Sequence, residues 1–298
     1  MDILGKIYHI NFLEYAHWFM SIRVSNMKDH FISIDQARHA TSIVAKYLDT
    51  ATVKASKKFY NTTFPYDKIF KKADASTSDE KVKKLTRDFN IHYRTCIWSL
   101  IYLLYTRADL SFSVYKLAKF SSNPGKVNVE GLLHLLRYIR ENKTLGLKYH
   151  ADMNDAPVSD LVIQAVINTE NQLMALYDSS WKDCTDTGRS TVAYIILYQG
   201  GPIYHGTHIP GPVDQSSSES EYNAACTSGM VLSNFRILVN EFLKKDADIV
   251  PEEALLIILD RKSAVFMDKN GKNTKKRRHI CKGVVPDPDG ILISILMC

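Results

Sequence analysis

The stretch LMALYDSSWKDCTDTGRSTVAYIILYQGGPIYHGTH, residues 173–208, decides the fold of this chain. It opens with an apolar run that ends at Asp178, and two further strand-like runs follow at 191–198 and 202–209. The Gln199-Gly200-Gly201 sequence between these two runs is a hairpin signal, because glycine adopts tight-turn conformations easily. The stretch therefore predicts three consecutive strands.

A long helix and another strand are predicted after the hairpin. Residues 218–243 carry apolar side chains at helical spacing, and residues 254–260 (ALLIILD) are typical of a buried strand that ends in Asp260. A short helix is predicted over 262–267. The order strand, hairpin, helix, strand, helix is typical of an α/β domain with a mixed sheet.

The first half of the chain is predicted to be mainly helical. Residues 11–24 predict one or two short strands, and residues 35–49 predict a helix. Residues 54–84 lack periodicity and contain nine lysines, which favours a long loop. Residues 93–120 predict two packed helices, and a third is expected over 131–140.

The aromatic residues of the first of these helices are spaced as on one helical face. Trp98, Tyr102 and Tyr105 are assigned to the core, since an aromatic stripe at this spacing is more often buried than a platform for nucleic-acid bases.

Composition indicates an ordinary globular chain with two unlike halves. The chain has 298 residues, of which 45% are hydrophobic and 23% charged, and its five cysteines form no CxxC pair. No apolar run reaches the ~20 residues that cross a bilayer. Residues 1–150 hold 24 Lys and Arg against 13 Asp and Glu, and residues 151–298 hold 14 against 19. This division of charge would fit a basic surface that binds a polyanion next to an acidic metal site. Halves of unequal charge are also common in chains that have neither feature.

Three acidic residues stand out as candidate metal ligands. Asp178 and Asp260 close apolar strands, and Glu221 lies in the first turn of the helix between them. Such carboxylates could hold two Mg²⁺ ions for phosphodiester hydrolysis. Each also has a structural alternative, since Asp178 could begin a turn, Asp260 could cap a helix, and Glu221 stands in a capping-box relation to Ser218. Glu221 is preferred to Glu219 because it lies beside the apolar side of the helix.

Several ordered segments resemble one protein family. Residues 173–208, SSSESEYNAA (216–225) and LDRKSAVFM (259–267) resemble the ribonuclease H segments of copia-type retrotransposon Pol polyproteins. Upstream, HYRTCIWSLIYLLYTRADLSFSVYKLAKFSSNP (92–124) resembles the family's Y-R-x-x-x-G-S-L-x-Y-L-x-x-T-R-x-D segment.

This resemblance implies three regions and a fold. Residues 1–85 would be the end of a reverse transcriptase palm and a thumb-like region, residues 86–145 a helical connection region, and residues 146–298 a C-terminally incomplete ribonuclease H-like domain. The fold class would be α/β, a ribonuclease H-like mixed sheet with flanking helices preceded by the mainly helical thumb and connection region.

The resemblance also implies an activity. Asp178, Glu221 and Asp260 would be catalytic residues that bind two Mg²⁺ ions, for which Mn²⁺ can substitute, and the substrate would be the RNA strand of an RNA–DNA hybrid. The expected partners are nucleic acid and the remainder of the reverse transcriptase polyprotein, with no membrane. The location would be cytoplasmic, in a virus-like particle, and the basic run at 269–282 also permits a nuclear one.

Departures from the family pattern support an alternative function. The polymerase Asp-Asp motif is absent from the sequence, so no polymerisation is expected. The family's final strand and helix, with a fourth acidic residue, are also missing, and residues 281–298 do not resemble them. The alternative is a catalytically inactive nucleic-acid-binding remnant. An integrase core has less support, because no His/Cys module precedes the acidic residues.

Overall fold

The structure is a computed structural model that contains two β-sheets and a group of helices. No helix within the described residues is long and apolar enough to cross a membrane. The described residues are 17–27, 31–48, 75–150, 173–184, 186–198, 201–211, 213–243, 255–259, 284–286 and 292–296.

The first sheet has four antiparallel strands. Three of them precede the helices in the chain, and the fourth follows them. Its order is β1 (Trp18–Phe19), β2 (Ile22–Met27), β3 (Phe31–Asp35) and β4 (Leu147–His150). The short strands predicted within 11–24 are thus confirmed where the chain is described. Strand β4 lies beyond the predicted boundary at residue 146, yet it pairs with β3.

The helices enclose one hydrophobic core. They are α1 (Ala37–Ile43) with a π-helical turn (Val44–Leu48), α2 (Asp79–Phe89), α3 (Tyr93–Leu103), a 3₁₀ turn (Ala108–Leu110), α4 (Ser111–Ala118) and α5 (Lys126–Glu141). Core residues come both from α1 and its π-helical turn and from 91–139, so the regions predicted as 1–85 and 86–145 share this core. The two packed helices expected within 93–120 are confirmed.

The long loop predicted over 54–84 is wrong at its C-terminal end, where α2 begins. Ser78 is the N-cap of α2, and its side chain accepts a hydrogen bond from the Lys81 backbone N–H. Asp79 and Glu80 in the first turn favour this helix end, because negative charge is stabilised near a helix N-terminus. The many lysines favoured the prediction of a loop, but α2 is an amphipathic helix. The rest of the predicted loop, through residue 74, lies outside the described residues.

The assignment of Trp98, Tyr102 and Tyr105 to the core is wrong for two of these residues. Trp98 is 60% exposed and Tyr105 is 69% exposed, while Tyr102 is half-buried. The helix instead buries Cys96, Ile97, Leu100 and Leu103. Both faces of α3 are apolar, so periodicity alone could not tell the core face from the solvent face.

A mixed six-stranded sheet forms the second unit. Its order is β7 (Gly201–His208), β6 (Arg189–Tyr198), β5 (Leu173–Cys184), β8 (Leu255–Leu259), β10 (Leu292–Leu296) and β9 (Val284–Pro286). Strand β6 is antiparallel to both β5 and β7, whereas β8 runs parallel to β5. Helix α6 (Ser217–Leu243) lies between β7 and β8 in the chain and packs on this sheet. The α/β class and the predicted order through β8 are confirmed, and the helix predicted over 262–267 lies outside the described residues.

Strand β5 does not end at Asp178, as the sequence suggested, but continues to Cys184. Its antiparallel pairing with β6 extends past Asp178 to Cys184 and Arg189, with an irregularity after Ser180. Backbone pairing with β6 therefore carries the strand through a polar stretch that lacks an apolar pattern. Asp178 lies inside the strand.

The helical group docks on the six-stranded sheet through a charged network. Lys116 on α4 is nearly buried and donates hydrogen bonds to the Asp183 carboxylate and to Thr191 Oγ1, the latter at 3.1 Å. Thr191 donates in turn to Asp183 at 2.6 Å. His205 Nε2 also donates to the Leu104 carbonyl at 2.9 Å. The Lys116 bonds hold α4 against β5 and β6, and the His205 bond holds the end of α3 against β7.

Replacing Lys116 with methionine is expected to lower the free energy of unfolding by about 3 kcal/mol, because it leaves the Asp183 carboxylate without its main countercharge. The matched control is Lys126→Met, since the Lys126–Glu130 pair is exposed and 3.9 Å long; it should cost less than about 1 kcal/mol. Urea unfolding measures both values. Equal costs for the two variants would contradict a structural role for the network.

Candidate functional site

Asp178 lies in β5 on the face of the sheet opposite α6. Its neighbours Tyr177 and Ser179 are buried, whereas the Asp178 side chain is exposed. Tyr177 belongs to the core that the sheet forms with α6, and strand side chains alternate between faces. The Asp178 carboxylate accepts a hydrogen bond from the Ser179 backbone N–H at 2.8 Å. Most of the carboxylate surface therefore remains open to a ligand.

Glu221 lies in the first two turns of α6 and is buried, with 3% of its surface exposed. Glu219 is only half-buried and has a different role, because its carboxylate accepts a hydrogen bond from the Gln215 backbone N–H at 2.8 Å. The two glutamates thus point in different directions, as expected for residues two apart on a helix. Glu221 is the one that faces the interior.

The two acidic residues lie next to a direct contact between β5 and α6. Ser179, which follows Asp178, shares a hydrogen bond with Ser220, which precedes Glu221. Both serines are buried. The start of α6 is therefore fastened to the middle of β5 at the level of the two carboxylates, although Asp178 projects on the far side of the strand.

A cavity of about 260 Å³ lies on the Asp178 side of the sheet, between the sheet and the start of α4. Asp178, His205 and Thr207 line it from the sheet, and Asp109 and Phe112 line it from the helical group. Ser111 and Thr207 share a hydrogen bond of 3.1 Å across this boundary. Both units therefore contribute polar groups to the surroundings of Asp178.

The third expected ligand, Asp260, lies outside the described residues, directly after β8. Strand β8 is parallel to β5, and its last described residue is Leu259. Within the described part of the chain, no three His, Cys, Asp or Glu side chains lie close enough to hold a metal ion together. The structure thus does not bring Asp178 and Glu221 together, because Asp178 projects from the face of the sheet opposite α6 and Glu221 is buried on α6. It shows only the strand that leads to Asp260.

Comparisons with known proteins identify relatives over most of the chain. The retrovirus-related Pol polyprotein from transposon TNT 1-94 of Nicotiana tabacum is 23% identical over 80% of this chain, and that from transposon RE1 of Arabidopsis thaliana is 22% identical over 76%. The uncharacterized mitochondrial protein AtMg00240 of Arabidopsis thaliana is 34% identical over 33% of this chain and 73% of its own length. The chain belongs to the copia-type retrotransposon Pol polyproteins.

This Pol chain spans only part of its larger relatives. It covers 16% of the length of the TNT 1-94 polyprotein and 13% of the RE1 polyprotein. No protein-family model matches it, and no solved structure matches it.

The T-R-x-D segment of this Pol chain, residues 106–109, has a structural role that the sequence did not reveal. Arg107 is 1% exposed, and its guanidinium donates two hydrogen bonds to the Asp109 carboxylate, at 2.9 and 2.8 Å. A third bond reaches the Asn142 carbonyl at 2.8 Å. Tyr138 donates to Asp109 at 2.9 Å, and burial together with the charge of Asp109 raises the pKa of Tyr138. The segment thus ties the chain before α4 to the end of α5.

Two other groups on this sheet have shifted pKa values. Burial lowers the pKa of His208 at the end of β7, so this side chain favours its neutral form. Burial acts to raise the pKa of the Cys184 thiol, but hydrogen bonds with Thr187 and the charge of Lys119 outweigh it, and the pKa is lowered overall. Neither residue was singled out as functional by the sequence.

Proposed function

We propose that this Pol chain contains a ribonuclease H-like domain that hydrolyses the RNA strand of RNA–DNA hybrids. The observation that supports the proposal is the contact between Ser179 and Ser220, the sequence neighbours of Asp178 and Glu221, which fastens the start of α6 to β5. The family resemblance assigns the role of metal ligand to Asp178 and Glu221. The order β7-β6-β5-β8, with α6 between β7 and β8, also fits the layout that the resemblance implies.

The ligand chemistry fits a hard divalent cation, which prefers carboxylate oxygens. Asp178, Glu221 and Asp260 would hold the ions, and Mg²⁺ when bound would stabilise the charge that develops on the phosphate oxygens. Exposure of Asp178 leaves room for the substrate strand beside it. Glu221 is buried and held on a helix, so its carboxylate would keep its position while the substrate binds.

In the proposed reaction a water attacks the phosphorus of an RNA phosphodiester. The bond from phosphorus to the 3′ oxygen breaks, and that oxygen takes up a proton. The products are a 3′-hydroxyl and a 5′-phosphate. The 2′-hydroxyl groups of the substrate would distinguish RNA from DNA.

A labelled hybrid tests this activity. The full chain should cleave the RNA strand in Mg²⁺ or Mn²⁺ and not in EDTA, and Asp178→Asn should reduce the rate about 1000-fold, because a metal site supplies several kcal/mol of transition-state stabilisation. Glu241→Gln is the control, since Glu241 is exposed near the end of α6. Cleavage that survives Asp178→Asn would contradict the proposal. Hybrid binding without cleavage by the unmodified chain would favour the alternative, an inactive nucleic-acid-binding remnant.

A further inference from the structure

The solvent face of α3 and the turn after it carry large aromatic side chains that no part of the described structure covers. Trp98 on α3 and Tyr105 in the turn that follows the helix are largely exposed, and the half-buried Tyr102 lies between them in the sequence. Ile101 is also exposed on this helix. Exposed aromatic residues grouped on one face usually mark a binding surface, because their burial by a partner is favourable.

This face continues onto the hairpin formed by β1 and β2. The Tyr102 hydroxyl donates a hydrogen bond to the Met20 carbonyl, and the Tyr102 and Tyr105 rings meet edge-on with their centres 5.6 Å apart. Trp18 and Phe19 are exposed in the same hairpin. We call the surface made by Trp18, Trp98, Tyr102 and Tyr105 the aromatic surface.

Positive charge accompanies the aromatic surface. The Arg38 guanidinium lies 4.5 Å from the centre of the Trp18 ring, and Arg94 is exposed on α3 one turn before Trp98. Among the described residues of 17–48 and 93–105, Asp35 is the single acidic residue, and it is buried and bonded to Arg23. The surface therefore offers aromatic rings and positive charge, with no exposed negative charge in these described segments.

We propose that the aromatic surface binds single-stranded nucleic acid. Unpaired bases stack on Trp98 and Tyr105, while Arg38 and Arg94 neutralise the phosphates between them. Aromatic rings combined with basic side chains are the usual means of binding a single strand without sequence preference. A duplex is disfavoured at this surface, because its bases already stack on each other. The surface shares no residue with the proposed cleavage site and does not depend on the cleavage proposal.

Fluorescence anisotropy with labelled oligothymidine of about 20 nucleotides, in EDTA, tests the proposal on the full chain. The double variant Trp98→Ala/Tyr105→Ala should raise the Kd at least about tenfold, since each stacked base contributes substantially to affinity. Trp98→Phe/Tyr105→Phe keeps both rings and should bind within about threefold of the unmodified chain. The control is Phe242→Ala, an exposed aromatic residue of α6, which should leave the Kd unchanged. Arg94→Ala should weaken binding and reduce its salt dependence.

Three results would overturn the proposal. The first is an unchanged Kd in the double alanine variant. The second is a duplex of the same length that binds the unmodified chain as tightly as oligothymidine does and no longer binds the double alanine variant. A surface that stacks bases requires them to be unpaired. The third concerns self-association, measured by sedimentation. If the unmodified chain self-associates, and the double alanine variant does not but still binds oligothymidine, the surface is a contact between two copies of the chain. Because EDTA prevents cleavage, none of these results depends on hydrolysis.

Discussion

Glu221→Gln is expected to reduce cleavage of an RNA–DNA hybrid about 1000-fold, whereas Glu219→Gln should leave the rate nearly unchanged. The substitution keeps the size of the side chain and removes the negative charge that the proposed metal ions require. Glu219 lies two residues earlier on the same helix, but it bonds to the Gln215 backbone instead of facing the interior. Comparing the two variants therefore distinguishes an effect of the charge at Glu221 from a general effect of negative charge at the start of α6.

The measurement is single-turnover cleavage at saturating Mg²⁺, accompanied by Mn²⁺ binding measured calorimetrically. Glu221→Gln should weaken Mn²⁺ binding at least about tenfold, because metal affinity depends on each carboxylate in the site. Thermal unfolding of both variants shows whether they remain folded, since Glu221 is buried. Equal loss of activity in Glu219→Gln, or full activity in Glu221→Gln, would contradict the assignment of Glu221 as a ligand.

The second large effect is expected at Arg107. Arg107→Ala should lower the free energy of unfolding by about 3–5 kcal/mol, because it leaves Asp109 and the Asn142 carbonyl without their charged donor. That loss is a large fraction of the stability of an ordinary domain, so partial unfolding is expected. Arg107→Lys should also destabilise the chain, since an ammonium group cannot form the paired bonds of the planar guanidinium.

Arg140→Ala is the matched control for Arg107. Arg140 pairs with its sequence neighbour Glu141 at 3.0 Å and is partly exposed, so its loss should cost no more than about 1 kcal/mol. Urea unfolding of the variants gives the comparison. If Arg107→Lys were as stable as the unmodified chain, the buried hydrogen bonds of Arg107 would not be the reason for the T-R-x-D segment.

Much of the second sheet could be predicted because its signals are local. The apolar runs of β5, β6 and β7 and the glycines between the last two specify strands and a turn within about ten residues of each other. The same holds for α6, whose apolar spacing extends over seven turns. The preference for Glu221 over Glu219 also came from local geometry, since residues two apart cannot share one face of a helix.

The candidate site could be predicted only in part. The resemblance named Asp178, Glu221 and Asp260. The structure shows Asp178 on the face of the sheet opposite α6 and Glu221 buried on α6, while Asp260 lies outside the described residues. The sequence suggested that Asp178 closes its strand, because the apolar pattern stops there. Pairing with β6 continues the strand to Cys184, and this pairing is a property of the neighbouring strand.

The sequence by itself determined the α/β class, the order of the main elements, and the family to which the chain belongs. Only the tertiary structure decided which face of α3 meets solvent, which partner each buried charge finds, and that β4 pairs with β3 across more than a hundred residues of chain. The physical reason is that periodicity encodes the shape of one element, whereas burial and ion pairing depend on what packs against it. Trp98 and Arg107 are opposite examples. Trp98 is apolar and was expected in the core but is exposed, whereas Arg107 is charged and is buried.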